Sequence, residues 1–81
     1  MKHRKILEKV RQDPVNPSIN WQDIEALLKA LGAEIYEGAG SRVRVLLNGK
    51  VAVFHRPHPH KETDKGAVKS VRRFLTNAGV E

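Results

Sequence analysis

Histidine is the residue type in this chain that best suits the transfer of protons near neutral pH. The sequence contains four histidines: His3, His55, His58 and His60. Three of them lie within residues 55–60, a polar segment that is rich in proline. General acid–base catalysis needs one group to accept a proton and another to donate one. Residues 55–60 are therefore the segment where the sequence best supports such chemistry.

The sequence offers less for other kinds of catalysis. It has no cysteine, which excludes disulfides, zinc ribbons and thiol nucleophiles and fits a cytoplasmic location. Ser41 has no neighbouring His-Asp pair, and Gly38–Gly40 lacks the helix and lysine of a phosphate-binding loop. The loop histidines with Glu62 or Asp64 form a weaker candidate metal site, because the prolines push these side chains apart. We therefore expect no metal and no other cofactor.

A β-hairpin is the best-marked element next to these histidines. Two β-rich runs, Val43–Leu47 and Val51–Phe54, flank the dipeptide Asn48-Gly49 and the lysine that follows it. Asn-Gly is the strongest short hairpin signal, because both residues tolerate the positive φ angles of a type I′ turn. The spacing therefore predicts a hairpin whose two loop residues are Asn48 and Gly49.

The predicted turn also determines which side chains share a face of the hairpin. In this register Arg42 lies opposite His55, and Arg44 lies on the same face as both. The alternate residues form a mostly apolar face that we expect to cover the core. A one-residue slip would exchange the two faces, so the placement depends on the predicted turn.

Helices are expected on both sides of the strands. Apolar periodicity predicts a first helix over residues 3–12, a second helix capped by Asn20 and closed by Gly32, and a last helix that ends at Gly79. Trp21 belongs to the apolar stripe of the second helix and is expected in the core. A short strand over residues 33–37 completes the order helix, helix, three strands, helix. That order predicts one α+β domain with a three-stranded antiparallel sheet and helices on one face.

The positive charge is concentrated in the C-terminal half of the chain. Between Arg42 and Arg73 there are nine Lys or Arg residues against two acidic ones, while the formal net charge of the whole chain is +6. Such segregation favours a polyanionic partner over a membrane surface, because no bulky apolar face adjoins the basic residues. The candidate polyanion contacts are Arg42, Arg44, Arg56, Lys61, Lys65, Lys69, Arg72 and Arg73.

Four short motifs occur in a fixed order between Trp21 and Val80. They are Leu31-Gly32 at a helix end, Gly40-Ser41 before the hairpin, a His-x-x-Lys-Glu-x-x-x-Gly pattern at His58, Lys61, Glu62 and Gly66, and Ala78-Gly79 at the end of the last helix. In this combination the segment resembles the HicA toxins of bacterial HicA–HicB toxin–antitoxin pairs. The resemblance leaves out residues 1–19, which look like an added N-terminal helix and linker before a core over residues 20–80.

The resemblance implies a double-stranded-RNA-binding-domain-like fold. It also implies metal-independent cleavage of mRNA by the free toxin, and neutralisation by a HicB-like antitoxin. RNA agrees with the charge distribution, because a phosphate backbone attracts clustered Lys and Arg whatever the base sequence. The rival interpretations are a non-catalytic RNA-binding module on the same fold and a protein-interaction domain with an acidic partner.

The chain departs from the family at one position that matters for catalysis. The family motif is Gly-Ser-His and its histidine is catalytic, whereas this chain has Arg42 after Gly40-Ser41. Arginine does not exchange protons near neutral pH, although it can hold a phosphate or stabilise a charged transition state. We therefore assign the acid–base role to His55, which is predicted to lie across from Arg42, or to His58.

Each histidine also has a structural interpretation. His55 is equally compatible with a strand-end residue that packs against Arg42. His58 can serve the loop or touch substrate. His60, which matches no motif, is expected to be exposed, and His3 is expected to be a solvated terminal residue.

Overall fold

A computed structural model describes residues 2–57 and 60–80 of the chain. The three helices are α1 (Lys2–Val10), α2 (Trp21–Ala30) and α3 (Lys65–Asn77), and the five strands are β1 (Ile19–Asn20), β2 (Glu34–Glu37), β3 (Arg42–Leu47), β4 (Lys50–His55) and β5 (Glu62–Thr63). The predicted α+β class is confirmed. In this part of the chain, no helix is long and apolar enough to cross a membrane.

The main sheet is antiparallel and three-stranded, as predicted, and its strand order is β2-β3-β4. A second sheet has only two strands, β1 and β5, which pair Ile19 with Thr63 and Asn20 with Glu62. This small sheet was not predicted, because a two-residue strand has no periodicity to detect. It joins the segment before α2 to the segment before α3, so the two helices start side by side.

The hairpin of β3 and β4 has the predicted turn and the predicted register. Asn48 and Gly49 have φ angles of 51° and 79°, the positive values that a type I′ turn requires. Arg42 pairs with His55 at the open end of the hairpin, and Val43 pairs with Phe54 next to them. The two faces of the hairpin are therefore the ones that the sequence predicts.

The core lies between the sheet and the helices α2 and α3. Apolar side chains from one face of β3 and β4 pack with those of the helices, and Val43 and Val45 are fully buried. Trp21 is only 4% exposed, and its ring centroid lies 5.8 Å from that of Phe54, which in turn lies 5.9 Å from that of Phe74. Trp21 is thus a core residue, as predicted.

Helix caps match the sequence signals. The side chain of Asn20 accepts a hydrogen bond from the backbone N–H of Gln22, and that of Asp64 accepts one from Ala67 at 2.7 Å. These contacts satisfy N–H groups that have no partner within the first turn of a helix. They set where α2 and α3 begin.

Helix α1 packs on the other two helices and adds Ile6 and Val10 to the core. It ends at Val10, two residues before the predicted end at Gln12. The guanidinium of Arg72 donates hydrogen bonds to the carbonyl oxygens of Val10, at 3.0 Å, and Gln12, at 2.8 Å. Because α1 ends at Val10, no further helical turn supplies donors for these two carbonyls, and Arg72 supplies them instead.

Candidate functional site

The side of the sheet that points away from the helices is open to solvent. The pairing of β2, β3 and β4 places eight side chains on this surface, which we call the outer sheet face: Glu34, Tyr36, Arg42, Arg44, Leu46, Val51, Val53 and His55. All except the half-buried Leu46 are exposed. The outer sheet face therefore brings together Arg42, Arg44 and His55 as the turn predicts.

Arg42 and His55 form the polar end of the outer sheet face. Their backbones are paired directly across β3 and β4, and both side chains are exposed. The pairing continues past the strand ends, because the backbone N–H of Arg56 donates to the carbonyl of Ser41 at 2.8 Å. A permanent cation and an imidazole thus lie side by side on a rigid part of the sheet.

The turn between β2 and β3 contacts the backbone of Arg42 on the side opposite β4. The backbone N–H of Gly38 donates to the carbonyl of Arg42 at 2.9 Å. A Cβ atom added at Gly38 would lie 3.3 Å from that carbonyl oxygen, which is tighter than most side-chain contacts. Glycine at this position therefore permits the close approach of the turn to Arg42.

Tyr36 belongs to the same face and was missed by the sequence reasoning. It pairs with Arg44, whose guanidinium carbon lies over the ring at 5.4 Å from the centroid. Its hydroxyl donates to a carboxylate oxygen of Glu34 at 2.9 Å, and this hydrogen bond raises the pKa of Tyr36. The register of β2 against β3 would have identified this neighbour, but no turn signal in the sequence sets that register.

A shallow groove of about 370 Å³ lies beside Tyr36. Its lining includes the Gly38-Ala39 turn, Arg42, Arg44 and Val53. The groove is thus bounded by an aromatic ring and two guanidinium groups, next to the small residues of the turn. A flat ligand with negative charge fits this chemistry.

The opposite end of the outer sheet face carries apolar side chains on β3 and β4, with Glu34 beside them on β2. Val51 and Val53 are 58% and 56% exposed, and Leu46 lies beside them on β3. Exposed apolar side chains that adjoin each other mark a surface for a partner more often than isolated ones do. The outer sheet face therefore combines a basic end and an apolar end.

Arg56 lies outside this face and is bound by the protein itself. It donates two hydrogen bonds to Glu37, at 2.6 and 2.7 Å, and two to Glu25, at 2.7 and 3.2 Å. The indole N–H of Trp21 also donates to Glu25. Burial acts to raise the pKa of Glu25, but the hydrogen bonds from Arg56 and Trp21 outweigh it and lower the pKa overall. The hydrogen bonds from Arg56 also lower the pKa of Glu37.

The remaining candidate contacts are spread over other surfaces. Arg72 is hydrogen-bonded to the carbonyls at the end of α1. Lys65, Lys69 and Arg73 are exposed on α3, on the side of the helix away from its buried residues and so away from the sheet. Lys61 is exposed in the loop before β5. The structure therefore does not gather the eight predicted contacts into one surface.

The other histidines take different positions. His58 lies outside the described residues. His60 is exposed, as expected, and lines a groove of about 320 Å³ with Arg56 and Lys61. His3 is half-buried in a groove between α1 and α2, because it shares the face of α1 that carries Ile6. His3 is thus less solvated than the sequence predicts.

Within residues 2–57 and 60–80, no group of three or more histidine and carboxylate side chains is placed to hold a metal ion.

Comparison with known proteins gives one family. A family model described as the HicA toxin of bacterial toxin–antitoxin systems matches the sequence over residues 21–80. The matched segment covers α2, the main sheet and α3, and it leaves α1 outside. Neither the curated proteins nor the solved structures that were searched gave a match.

Proposed function

This chain belongs to the HicA family of toxins from bacterial toxin–antitoxin systems, and on that premise we propose that it cleaves mRNA at the polar end of its outer sheet face. The cleavage is independent of a metal ion, and a HicB-like antitoxin neutralises the toxin. The observation that carries the proposal is the direct cross-strand pairing of Arg42 with His55 on an exposed surface. An arginine, a residue type that can bind phosphate, thus lies beside a histidine, a residue type that can exchange protons near neutral pH.

The chemistry follows from these two side chains. The imidazole of His55 accepts the proton of a ribose 2′-hydroxyl, and the resulting oxygen attacks the adjacent phosphorus. The bond from phosphorus to the 5′-oxygen of the next nucleotide breaks, and that oxygen takes up a proton. The products are a 2′,3′-cyclic phosphate and a free 5′-hydroxyl. Arg42 stabilises the negative charge that develops on the phosphoryl oxygens.

The second proton transfer needs an acid, and His58 is the residue that the sequence offers. It matches the histidine of the His-x-x-Lys-Glu pattern and follows β4 by three residues. His58 donates the proton to the departing 5′-oxygen in this scheme. Histidine is suited to either role because it exists in both protonation states near neutral pH.

Arg42 and Arg44 provide the RNA contacts next to the chemistry. Both are exposed on the outer sheet face, and Arg44 lies two residues along β3 from Arg42. The exposed Lys61, Lys65, Lys69 and Arg73 act on the same polyanion at longer range, by raising the local potential that attracts RNA. Arg56 and Arg72 do not contact RNA in this proposal, because their guanidinium groups are hydrogen-bonded within the protein.

The antitoxin binds the apolar side chains of the same outer sheet face. Leu46, Val51 and Val53 form its apolar end, directly beside the polar end. A partner that buries these side chains also blocks access to Arg42 and His55. The same surface thus supports both RNA cleavage and its inhibition by a bound protein.

A non-catalytic RNA-binding module on the same fold is the second candidate. Arg42 favours it, because the family carries its catalytic histidine at this position. The two candidates share the RNA-binding face and differ only in whether His55 takes part in a reaction.

Cleavage of cellular mRNA after induced expression tests the proposal. We expect wild type to cleave mRNA and arrest growth, and His55→Ala to lower the cleavage rate about 10²- to 10⁴-fold, the usual contribution of a general acid or base. His58→Ala should have a similar effect. His60→Ala is the matched control, since His60 is a neighbouring exposed histidine, and it should cleave like wild type.

Purified proteins extend the test. Cleavage of an RNA by wild type in the presence of a metal chelator supports the metal-independent scheme. Intact RNA with wild type, together with RNA binding, would support the non-catalytic module. Full activity of both His55→Ala and His58→Ala would remove both histidines from the mechanism.

A further inference from the structure

Tyr36 differs from the other aromatic residues in lying outside the core. Trp21, Phe54 and Phe74 are all core residues. Tyr36 is 42% exposed on the edge strand β2, on the side of the sheet that faces solvent. Part of its ring is therefore accessible to a ligand.

The ring is held in one orientation before any ligand binds. Its hydroxyl donates to Glu34 at 2.9 Å, and the guanidinium of Arg44 lies 5.4 Å from its centroid. Both partners are on adjacent positions of the same face, Glu34 two residues along β2 and Arg44 directly across on β3. A planar surface that is already ordered loses little conformational freedom when a second planar group stacks on it.

The surroundings of the ring fit a nucleotide. The groove beside Tyr36 is lined by Arg42, Arg44 and the small residues Gly38 and Ala39. Two guanidinium groups therefore lie within one groove, where they attract a phosphate. Glu37 also lines the groove, and it accepts two hydrogen bonds from Arg56, which partly offset its negative charge.

We propose that Tyr36 and Arg44 form a stacking platform for one base of single-stranded RNA, with Arg42 on the adjoining phosphate. This inference rests on the proposed function and deepens it, because it selects single strands as the substrate. A base within a duplex is already stacked on its neighbours, whereas an unpaired base can stack on an aromatic ring or a guanidinium plane. The platform positions the nucleotide whose phosphate lies beside His55.

Binding of a short single-stranded oligonucleotide that carries one 2-aminopurine tests the platform. Full 2′-O-methyl substitution removes the attacking hydroxyl, so the oligonucleotide binds without being cleaved. We expect its fluorescence to fall on binding to wild type and to Tyr36→Phe, which keeps the ring. Tyr36→Leu should abolish that fall and weaken the affinity about 5- to 100-fold, the usual effect of losing one stacked base.

Two controls separate stacking from charge. The same oligonucleotide in a duplex should bind wild type and Tyr36→Leu equally. Arg44→Lys keeps the positive charge but loses the plane of the guanidinium, so it should weaken the fluorescence change while the salt dependence of binding stays as in wild type. Thermal unfolding of each variant checks that the fold is retained, and Arg44→Lys tests the platform if Tyr36→Leu is not stable.

The inference fails if Tyr36→Leu binds the single strand like wild type, or if its affinity for the duplex falls equally. It also fails if Tyr36→Leu loses only the affinity for the antitoxin, since the ring would then be a protein contact. These outcomes differ from a failure of the proposed function. Wild type that quenches 2-aminopurine but does not cleave RNA keeps the platform, and wild type that cleaves with no effect of Tyr36→Leu keeps the nuclease.

Discussion

The arginines of the outer sheet face and those that hold the fold together differ in their surroundings. Arg42 and Arg44 are exposed beside His55 and Tyr36. Arg56 is enclosed by two carboxylates. The comparison teaches that a count of basic residues overstates the charge that a partner can reach. The positive surface next to the candidate catalytic group is smaller than the sequence predicts, and better defined.

The cause of the difference is the position of each arginine along its strand. Arg42 and Arg44 occupy alternate positions of β3 and so point to the open face of the sheet. Arg56 follows the end of β4, where it reaches Glu25 on α2 and Glu37 at the end of β2. The first pair of arginines is thus available for a ligand, and Arg56 links the helix to the sheet.

Among the substitutions that test this comparison, loss of Arg56 should lower the stability of the fold most. Arg56→Gln leaves Glu25, whose side chain is only 15% exposed, without its main cationic partner. Hydrogen bonds to charged groups contribute about 1.5–3 kcal/mol, which we reduce to about 1–2 kcal/mol because Arg56 is partly solvated. The midpoint of thermal unfolding should fall by about 5–15 °C. An unfolding midpoint equal to that of wild type would show that this cluster is not structural.

The pH dependence of unfolding identifies the cause of that loss. Glu25 and Glu37 have pKa values below their usual 4.5 in the folded protein. Their contribution to stability is therefore present above pH 4.5 and is lost as the pH falls through the lower folded pKa values. The difference in unfolding midpoint between wild type and Arg56→Gln should shrink as the pH falls below 4.5. A constant difference would exclude the carboxylates as its source.

Loss of Arg72 should have a smaller effect on stability. Arg72→Gln removes the donors to the carbonyls of Val10 and Gln12 and so weakens the attachment of α1. We expect the free energy of unfolding to fall by about 1 kcal/mol, measured by chemical denaturation. Lys69→Gln is the matched control, since Lys69 is an exposed cation on the same helix. An equal fall in the free energy of unfolding in both variants would contradict the distinction between cations that are hydrogen-bonded within the fold and cations that are exposed.

The sequence predicted the parts of the fold that depend on local signals. Asn48-Gly49 predicted the hairpin and its register, and Asn20 and Gly32 predicted the ends of α2. Each of these signals acts over a few residues. The placement of Arg42 beside His55 followed from the hairpin alone, which is why the polar end of the candidate site was predictable.

The missed features depend on contacts between distant parts of the chain. Arg56 lies 31 residues from Glu25, and no local pattern predicts that the two side chains meet. Tyr36 meets Arg44 only through the register of β2, which the flexible Gly38–Ser41 turn does not reveal. Sequence reasoning thus predicted that Arg42 and His55 lie side by side, and it could not tell which other arginines are hydrogen-bonded within the protein.

The salt dependence of RNA binding tests the distinction between free and bound arginines most directly. Affinity for an uncleavable single-stranded oligonucleotide is measured over a series of salt concentrations for wild type, Arg42→Gln and Arg56→Gln, at a temperature where all three are folded. Each lost phosphate contact lowers the slope of log affinity against log salt by about 0.7. Arg42→Gln should show this reduction and Arg56→Gln should match wild type. A reduction in Arg56→Gln as large as that in Arg42→Gln would contradict the account.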